Sequence, residues 1–160
     1  MDKKKIRKYE LNDLQSLIDL FRSSVRRLAS KDYSAAQIFT WAPDHIDPVI
    51  FSSKRASKPT WIAEIDGHIA GFTDLESDGH IDMLYVHPDF QSKGVARALL
   101  HHVESTAYQQ GLVRLYTEAS ITARPAFERL GFRVMTEQTV SHGGEQFINY
   151  LMEKPLTIKF

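Results

Sequence analysis

The stretch from His80 to Arg97 constrains the fold more than any other part of the chain. It begins with seven residues rich in β-branched and large apolar side chains, HIDMLYV, which is typical of a buried strand. Pro88 ends that strand, because proline has no N–H group to donate to a sheet. A helix is predicted from Val95 onward, where apolar residues recur four apart until Gly111. The chain therefore passes directly from a strand into a helix, which indicates an α/β fold.

The turn between this strand and this helix has the composition of an anion-binding site. The first N–H groups of a helix have no intrahelical partner, and the helix macrodipole adds partial positive charge there. Gly94 and Ala96 leave room for the backbone to approach a phosphate group closely. We expect a pyrophosphate to bind along the turn and the first helical residues. These residues are Gln91, Ser92, Lys93, Gly94, Val95, Ala96 and Arg97.

Other ligand-binding patterns are missing from the sequence. Neither Gly-x-x-x-x-Gly-Lys-Ser/Thr nor Gly-x-Gly-x-x-Gly occurs, which argues against nucleoside triphosphate and dinucleotide binding. The adjacent His101 and His102 would point about 100° apart on a helix, and no His-Glu-x-x-His is present. The chain has no cysteine, which excludes thiolate chemistry and cysteine zinc sites. We therefore expect no metal site.

The rest of the chain alternates between helical and strand patterns. Asn12, Ser34 and Asp47 are predicted to cap helices at their first turns. Asp66-Gly67 predicts a two-residue hairpin turn. The predicted strands are 6–9, 61–65, 69–74, 80–86, 113–119, 132–140 and 145–152. Together these elements predict a mixed, mostly antiparallel twisted sheet of six to seven strands, flanked by about four helices.

Charge and hydropathy narrow the possible partners and the compartment. Twenty basic residues balance twenty acidic ones, which argues against nucleic-acid binding through bulk charge. No apolar run approaches the roughly 18 residues of a membrane span. Lys3-Lys4-Lys5 is not followed by the apolar core of a signal peptide and is interpreted as a solvated end. We expect a cytoplasmic protein without a membrane or nucleic-acid partner, and the lack of cysteine is compatible with a reducing compartment.

The turn and the strand before it resemble a signature of the GNAT superfamily of N-acetyltransferases. That signature reads Gln/Arg-x-x-Gly-x-Gly/Ala after a strand that ends in Val-x-Pro. Here it is matched by Val86, Pro88, Gln91, Gly94 and Ala96. The preceding strand and the following helix give this short match its specificity.

The stretch 120–132 resembles a second signature of the same superfamily, Asn-x-x-Ala-x-x-x-Tyr-x-x-x-Gly-Phe. Ala123 and Gly131-Phe132 match it, whereas Ser120 stands in place of Asn and Phe127 in place of Tyr. In many relatives that Tyr protonates the departing thiolate, which a phenylalanine cannot do. The resemblance implies that Ser120 bonds the cofactor through its hydroxyl and that Phe127 packs on the pantetheine arm.

The resemblance extends roughly from residue 61 to residue 152 and implies a single domain of GNAT fold over residues 1–160. It further implies acyl transfer from acetyl-CoA, as donor, to a primary amine of a small molecule or a peptide. In relatives the central strand splays from its neighbour, so the backbone of Leu84, Tyr85 and Val86 is expected to bond the pantetheine amides. The same backbone would donate to the developing oxyanion.

Direct attack by an amine calls for a general base, because a free amine has a pKa near ~10.4 and is mostly protonated at neutral pH. His80 and Asp82 lie two apart on the predicted strand, share one face, and align with acid–base residues of several relatives. We expect His80 first and Asp82 second; the alternative is a polar strand end at the solvent. The leaving thiolate, with a pKa near ~8.5, would be protonated by water or by Tyr85, Tyr116 or Tyr150.

The acceptor site is expected among the first helices, which often wall the acceptor pocket in relatives. Phe21, Tyr33 and Trp41 are therefore candidates for substrate contact, with core packing as the alternative. Because Phe127 lacks the usual hydroxyl, a catalytically weak acyl-CoA-binding module is the alternative function, and an interaction protein without a cofactor is a third. A homodimer is a further expectation, since dimers are common among relatives.

Overall fold

The computed structural model describes residues 3–157. Within these residues the chain forms seven β-strands and five α-helices in the order β1-α1-α2-α3-β2-β3-β4-α4-β5-α5-β6-β7. The strands are β1 (Lys4–Lys8), β2 (Thr60–Ile65), β3 (His68–Asp74), β4 (Leu84–Val86), β5 (Arg114–Ser120), β6 (Arg133–His142) and β7 (Glu145–Pro155). The helices are α1 (Leu14–Leu28), α2 (Ala35–Trp41), α3 (Pro48–Ala56), α4 (Val95–Gln109) and α5 (Arg124–Arg129).

The strands form two antiparallel sheets, ordered β1-β2-β3-β4 and β5-β7-β6. The sheets are joined where His80 and Tyr116 form a parallel bridge. There the N–H of Ile81 donates to the carbonyl of Tyr116 at 2.9 Å, and the N–H of Tyr116 donates to Gly79 at 3.0 Å. Beyond this bridge β4 and β5 are not neighbours in either described sheet, so a gap opens between them. The predicted mixed, mostly antiparallel α/β fold is confirmed, with five helices rather than about four.

Two-residue turns connect both long hairpins. Asp66 and Gly67 have φ values of +50° and +83°, as a type I′ turn requires, so the predicted β2–β3 hairpin is confirmed. Gly143 and Gly144 do the same between β6 and β7, with φ values of +55° and +82°. Because glycine adopts positive φ without steric cost, β6 continues to His142, two residues further than predicted.

The central strand is shorter than the predicted 80–86, because β4 contains only Leu84–Val86. The backbone of the two residues directly before β4 bonds to a side chain instead of to a strand. The buried carboxylate of Asp74 accepts the N–H groups of Asp82 at 2.8 Å and Met83 at 3.2 Å. The prediction was wrong for the first half of this segment, since the apolar pattern does not reveal a side-chain substitute for sheet hydrogen bonds.

The start of the first helix also differs from the prediction. Asn12 is not the cap; it lies inside a single 3₁₀ turn, and the capping box is formed by Glu10 and Asp13. Arg7 holds the Asp13 carboxylate with two hydrogen bonds of 2.8 Å, which favours the earlier start. The other two predicted caps are confirmed. Ser34 accepts the N–H of Gln37 at 3.1 Å, and Asp47 accepts that of Val49 at 2.9 Å.

Helices cover both faces of the first sheet. Phe21 of α1 and Phe51 of α3 lie in one apolar cluster with Ile62 of β2. The next residue of that strand, Ala63, lies in another cluster with Leu99 of α4. Because adjacent strand residues point to opposite faces, α1 and α3 cover one face and α4 the other. A third cluster joins α4 to β5, α5 and β7, so α4 is buried against both sheets.

Candidate active site

A crevice of about 420 Å³ lies in the gap between β4 and β5, bordered by α1, α5 and the start of α4. It exists because the two sheets diverge beyond the His80–Tyr116 bridge. Eleven of the twelve residues predicted to bind the cofactor line it. They are Leu84, Tyr85, Val86, Gln91, Ser92, Gly94, Val95, Ala96, Arg97, Ser120 and Phe127. The remaining one, Lys93, is not among the lining residues.

The beginning of α4 presents backbone N–H groups to the crevice. Gly94 caps the helix with a φ of +78° and makes no side-chain cap. The intrahelical ladder starts with the N–H of Ala98, which donates to the carbonyl of Gly94 at 3.0 Å. The N–H groups of the three residues between them thus have no intrahelical acceptor, and the helix dipole adds positive potential. This geometry suits an anionic ligand.

Lys4 on β1 lies beside this helix start. A Cβ placed on Gly94 would be 3.3 Å from the Lys4 Nζ. The ammonium group therefore adds positive charge near the unpaired amides. The sequence pattern indicated only that Lys4 lies at a solvated end. Its position beside α4 could not be predicted, because it depends on the order of the strands in the sheet.

The free edge of β4 faces the crevice. The N–H of His87 donates to the carbonyl of Ala70 at 2.8 Å, and Tyr85 is paired with Phe72 two residues earlier. Hydrogen-bonded pairs alternate along antiparallel strands, so Leu84 and Val86 turn their backbone groups away from β3. Their N–H and C=O groups are thus directed toward the gap, where a ligand with amide groups would find partners.

A second cavity of about 210 Å³ adjoins the crevice. Trp41, Tyr85 and Ser120 line both, so the two cavities share a wall. The remaining lining residues of the second cavity are Tyr33, Glu118, Val140, His142, Phe147 and Asn149.

Strand register explains why these residues meet. Glu118 and Ser120 lie two apart on β5 and share a face, and Ser120 is paired with Asn149 on β7. On the other side of β7, Phe147 is paired with Val140 of β6. One face of the second sheet therefore supplies all five residues.

His80 lies between two carboxylates, outside the lining of both cavities. Its Nε2 is 2.6 Å from Glu118 Oε2, and its Nδ1 bonds the carboxylate of Glu76. Burial alone would lower the pKa of His80, but hydrogen bonds to Glu76 and Glu118 outweigh it and the net shift is upward. The imidazolium form, with two N–H donors, matches these two acceptors.

Asp82 has different partners from His80 and also lies outside both linings. Arg55 Nη2 is 3.1 Å from its carboxylate, and Lys58 Nζ is 3.4 Å away. Burial alone would raise the pKa of Asp82, but the attraction of Lys58 and Arg55 outweighs it, so its pKa is lowered. Lys58 Nζ also lies 3.5 Å from the carboxylate of Glu76, so it connects the partners of Asp82 with those of His80.

The three acceptor candidates occupy different positions. Phe21 lines neither cavity and packs edge-on against Tyr85, with ring centroids 4.9 Å apart. Tyr33 lines the second cavity, where its hydroxyl donates to Ile148 O at 2.6 Å and accepts the N–H of Ile121 at 3.0 Å. Trp41 lies in the wall between the cavities.

The three tyrosines considered for thiolate protonation also occupy different positions. The hydroxyl of Tyr116 bonds Asp78, and Tyr150 lies under the guanidinium of Arg124 at 4.5 Å. Tyr85 alone among these three lines the crevice, and burial raises its pKa. Phe127 is buried in the lining, and so it contributes packing.

Sequence reasoning missed Glu118, Phe147 and Asn149. Glu118 could have been found, because it alternates with Ser120 on a predicted strand. Phe147 and Asn149 could not, because their place depends on β7 inserting between β5 and β6.

Within residues 3–157, no three His, Asp or Glu side chains are grouped so that they could hold a metal ion. None of the helices in the same range is both long and apolar enough to span a membrane.

Comparison with known proteins gives consistent matches. The acetyltransferase (GNAT) domain family matches residues 29–154. The uncharacterized N-acetyltransferase YafP of Escherichia coli (strain K12) is 37% identical over 152 residues, which cover 95% of this chain and 96% of that protein. A GCN5-related N-acetyltransferase from Rhodopseudomonas palustris superposes with a TM-score of 0.93 at 33% identity, covering 98% of each chain. PaiA N-acetyltransferase from Thermoplasma acidophilum, solved in complex with coenzyme A, has a TM-score of 0.78 at 20% identity, covering 96% of this chain and 99% of that one.

Proposed function

The chain belongs to the GNAT acetyltransferases, and we propose that it transfers the acetyl group of acetyl-CoA to a primary amine of a small molecule or peptide. The observation that carries this proposal is the pair of adjoining cavities. One has an anion-binding helix start, the other has a carboxylate, and they share the wall formed by Trp41, Tyr85 and Ser120. A thioester in the first and an amine in the second would meet at that wall.

The crevice residues fit coenzyme A as the donor substrate. The amides of Val95, Ala96 and Arg97 suit the pyrophosphate, and Lys4 adds charge beside them. Gly94 leaves space beside this helix start, because a side chain there would project toward Lys4. The free edge of β4 suits the pantetheine amides. A thioester held in this way supplies the electrophilic acyl carbon.

Glu118 is the general base in this proposal. An ammonium group must lose a proton before it can attack, since an ordinary amine has a pKa near ~10.4. The Glu118 side chain lines the second cavity and is 40% exposed, so it can accept that proton and pass it to solvent. His80 orients the carboxylate from 2.6 Å and is a positioning residue. Asp82, bound by Arg55 and Lys58, has a structural role.

The transfer then proceeds by direct attack. The neutral nitrogen forms a C–N bond with the thioester carbon, and backbone amides of β4 stabilise the charge that develops on the carbonyl oxygen. The C–S bond then breaks, the nitrogen loses its second proton to give the neutral amide, and the departing thiolate takes up that proton and leaves as the thiol. Because burial raises the pKa of Tyr85, its hydroxyl stays neutral and keeps its proton. In this proposal that hydroxyl donates a hydrogen bond to the leaving sulfur, the role that Phe127 cannot fill.

Thiol release from acetyl-CoA with a panel of primary amines tests this assignment. Glu118→Gln should lower kcat by about 10²- to 10⁴-fold, as expected for loss of a general base, with the KM for acetyl-CoA unchanged. His80→Gln should lower kcat by about tenfold and leave that KM unchanged, because the base remains but is less well oriented. Asp82→Asn is the matched control and should retain kcat within about threefold.

Two outcomes would contradict the assignment. If Asp82→Asn or His80→Gln abolished turnover while Glu118→Gln did not, the base would be one of the two residues expected from the sequence. If the protein bound acetyl-CoA tightly and acetylated no amine, it would be a catalytically weak acyl-CoA-binding module, the alternative that Phe127 suggests.

A further inference from the structure

We propose that the second cavity binds a primary ammonium group carried on one apolar, ring-sized body without a carboxylate, as in an arylalkylamine. This proposal rests on the proposed function, because it names the class of amine that would be acetylated. Three observations carry it: the hydrogen-bond acceptors in the cavity, its aromatic walls, and the charges on its lining residues.

The acceptors suit an ammonium group. Glu118 contributes a carboxylate with one oxygen bonded to His80. The Oδ1 atom of Asn149 is buried and has no hydrogen-bond partner within the described part of the chain. A buried acceptor without a donor costs free energy, and a ligand that donates to it recovers that cost. An ammonium group has three N–H donors and no acceptor, which matches the kind of hydrogen-bonding group that these two lining residues lack.

The walls suit an apolar body. Tyr33, Trp41 and Phe147 contact one another, with ring centroids 5.5, 5.9 and 6.4 Å apart. Val140 adds an aliphatic surface and is 36% exposed. Aromatic side chains bury planar groups well, and their faces attract a nearby cation. At about 210 Å³ the cavity has half the volume of the crevice, which favours a compact amine.

The charges disfavour a second ionised group on the ligand. Among the residues that the structure describes, no lysine or arginine lines this cavity. The basic side chain in the lining is His142, which is exposed. A carboxylate on the amine would lose water near Glu118 and gain no guanidinium or ammonium partner. Amino acids should therefore be poor acceptors.

A matched pair of amines tests this inference. 2-Phenylethylamine and phenylalanine share a ring and an amine, and they differ by one carboxylate. We expect kcat/KM for acetyl transfer to favour 2-phenylethylamine by at least about 100-fold, because the carboxylate has no partner. Calorimetry on the CoA-bound protein should detect 2-phenylethylamine and not phenylalanine at the same concentration. Glu118→Gln should weaken this binding by about tenfold, since it removes the charge and keeps the shape.

A charge-gain variant strengthens the test. Val140→Arg places a guanidinium at the cavity and should shift the preference toward phenylalanine by at least about tenfold. Met135→Arg is the control, because Met135 is also exposed on β6 but does not line the cavity. It should leave the preference unchanged.

The outcomes separate this inference from the proposed function. Acetylation of phenylalanine as fast as 2-phenylethylamine would overturn the inference and leave acetyl transfer intact. Selective binding of 2-phenylethylamine without acetylation of any amine would overturn the proposed function and support the cavity assignment. Failure of both amines to bind the CoA-bound protein would overturn the inference that the second cavity binds an arylalkylamine.

Discussion

In the proposed function, Gly94 is the residue on which donor binding depends most directly. Its φ of +78° lies in the left-handed region, where a side chain is strained, and a Cβ there would point at Lys4. The same position opens the helix whose unpaired amides line the crevice. Backbone conformation and ligand access thus depend on one missing side chain.

Gly94→Glu should lower the affinity for coenzyme A by about 100-fold, because it adds bulk and a like charge beside the phosphates. Gly111→Glu is the matched control, since Gly111 has a φ of +76° and a Cβ added there would have no neighbour within 4 Å. Both variants should lose about 1 kcal/mol of stability from backbone strain. Calorimetric titration with coenzyme A measures the affinities of the two variants. Equal affinities would contradict the proposal that the helix start at Gly94 binds the phosphates.

The charged groups around His80 make its contribution to stability depend on pH. Glu76 and Glu118 accept from its ring, Asp78 accepts its backbone N–H at 3.1 Å, and Lys58 lies 3.5 Å from Glu76. Its pKa is raised above the usual 6.5 by the two carboxylates, against the effect of burial. Its stabilising contribution is therefore fully present below about pH 6.5 and is lost as the pH rises through the raised value.

His80→Gln should consequently cost about 1 kcal/mol of unfolding free energy at pH 6 and less at pH 9. Urea unfolding at both pH values measures this difference. NMR titration of the His80 ring should give a midpoint above 6.5 in the wild type and a lower one in Glu118→Gln. A midpoint at or below 6.5 in the wild type would contradict the conclusion that Glu76 and Glu118 stabilise the charged imidazolium form.

At the scale of elements, α3 holds the approach to β4 through a buried ion pair. Arg55 Nη1 lies 2.6 Å from Asp74 Oδ2, and both side chains are 0% exposed. The same carboxylate accepts the N–H groups of Asp82 and Met83. Asp74 therefore holds the segment directly before β4, and with it the start of the strand edge that faces the crevice.

Asp74→Asn should lower the unfolding free energy by about 3 kcal/mol, because it leaves the Arg55 charge buried with a weaker partner. Asp82→Asn is the control; that side chain is 36% exposed, so it should cost at most about 1 kcal/mol. Chemical unfolding followed by circular dichroism compares the two. Equal losses would mean that the buried pair does not anchor this segment.

The elements also show which features local sequence can predict. The hairpin at Asp66-Gly67 and the caps at Ser34 and Asp47 depend on neighbouring residues, and all three were predicted. The late start of β4 within the predicted strand 80–86 was not, because the side chain of Asp74, 8 residues before Asp82, accepts the backbone N–H groups of residues 82 and 83 in place of a strand. A local pattern is reliable only where local groups satisfy the backbone.

For the whole molecule, the same distinction separates the two cavities. The crevice between β4 and β5 takes ten of its 22 lining residues from the stretch 84–97, so a motif could predict about half of its lining. The second cavity combines residues from α2, β4, β5, β6 and β7. Glu118 and His80 are 38 positions apart, and Asn149 reaches Ser120 only through the order β5-β7-β6. Long-range register, which composition and spacing do not reveal, sets this part of the site.

The insertion of β7 between β5 and β6 has an evolutionary consequence. The hairpin that carries Val140, Phe147 and Asn149 is remote in sequence from the turn at Gly94. Substitutions in that one hairpin would remodel the second cavity, the proposed amine site, and leave the helix start at Gly94 untouched. Under the proposed function, a lineage with this architecture could exchange acceptors while inheriting its donor unchanged.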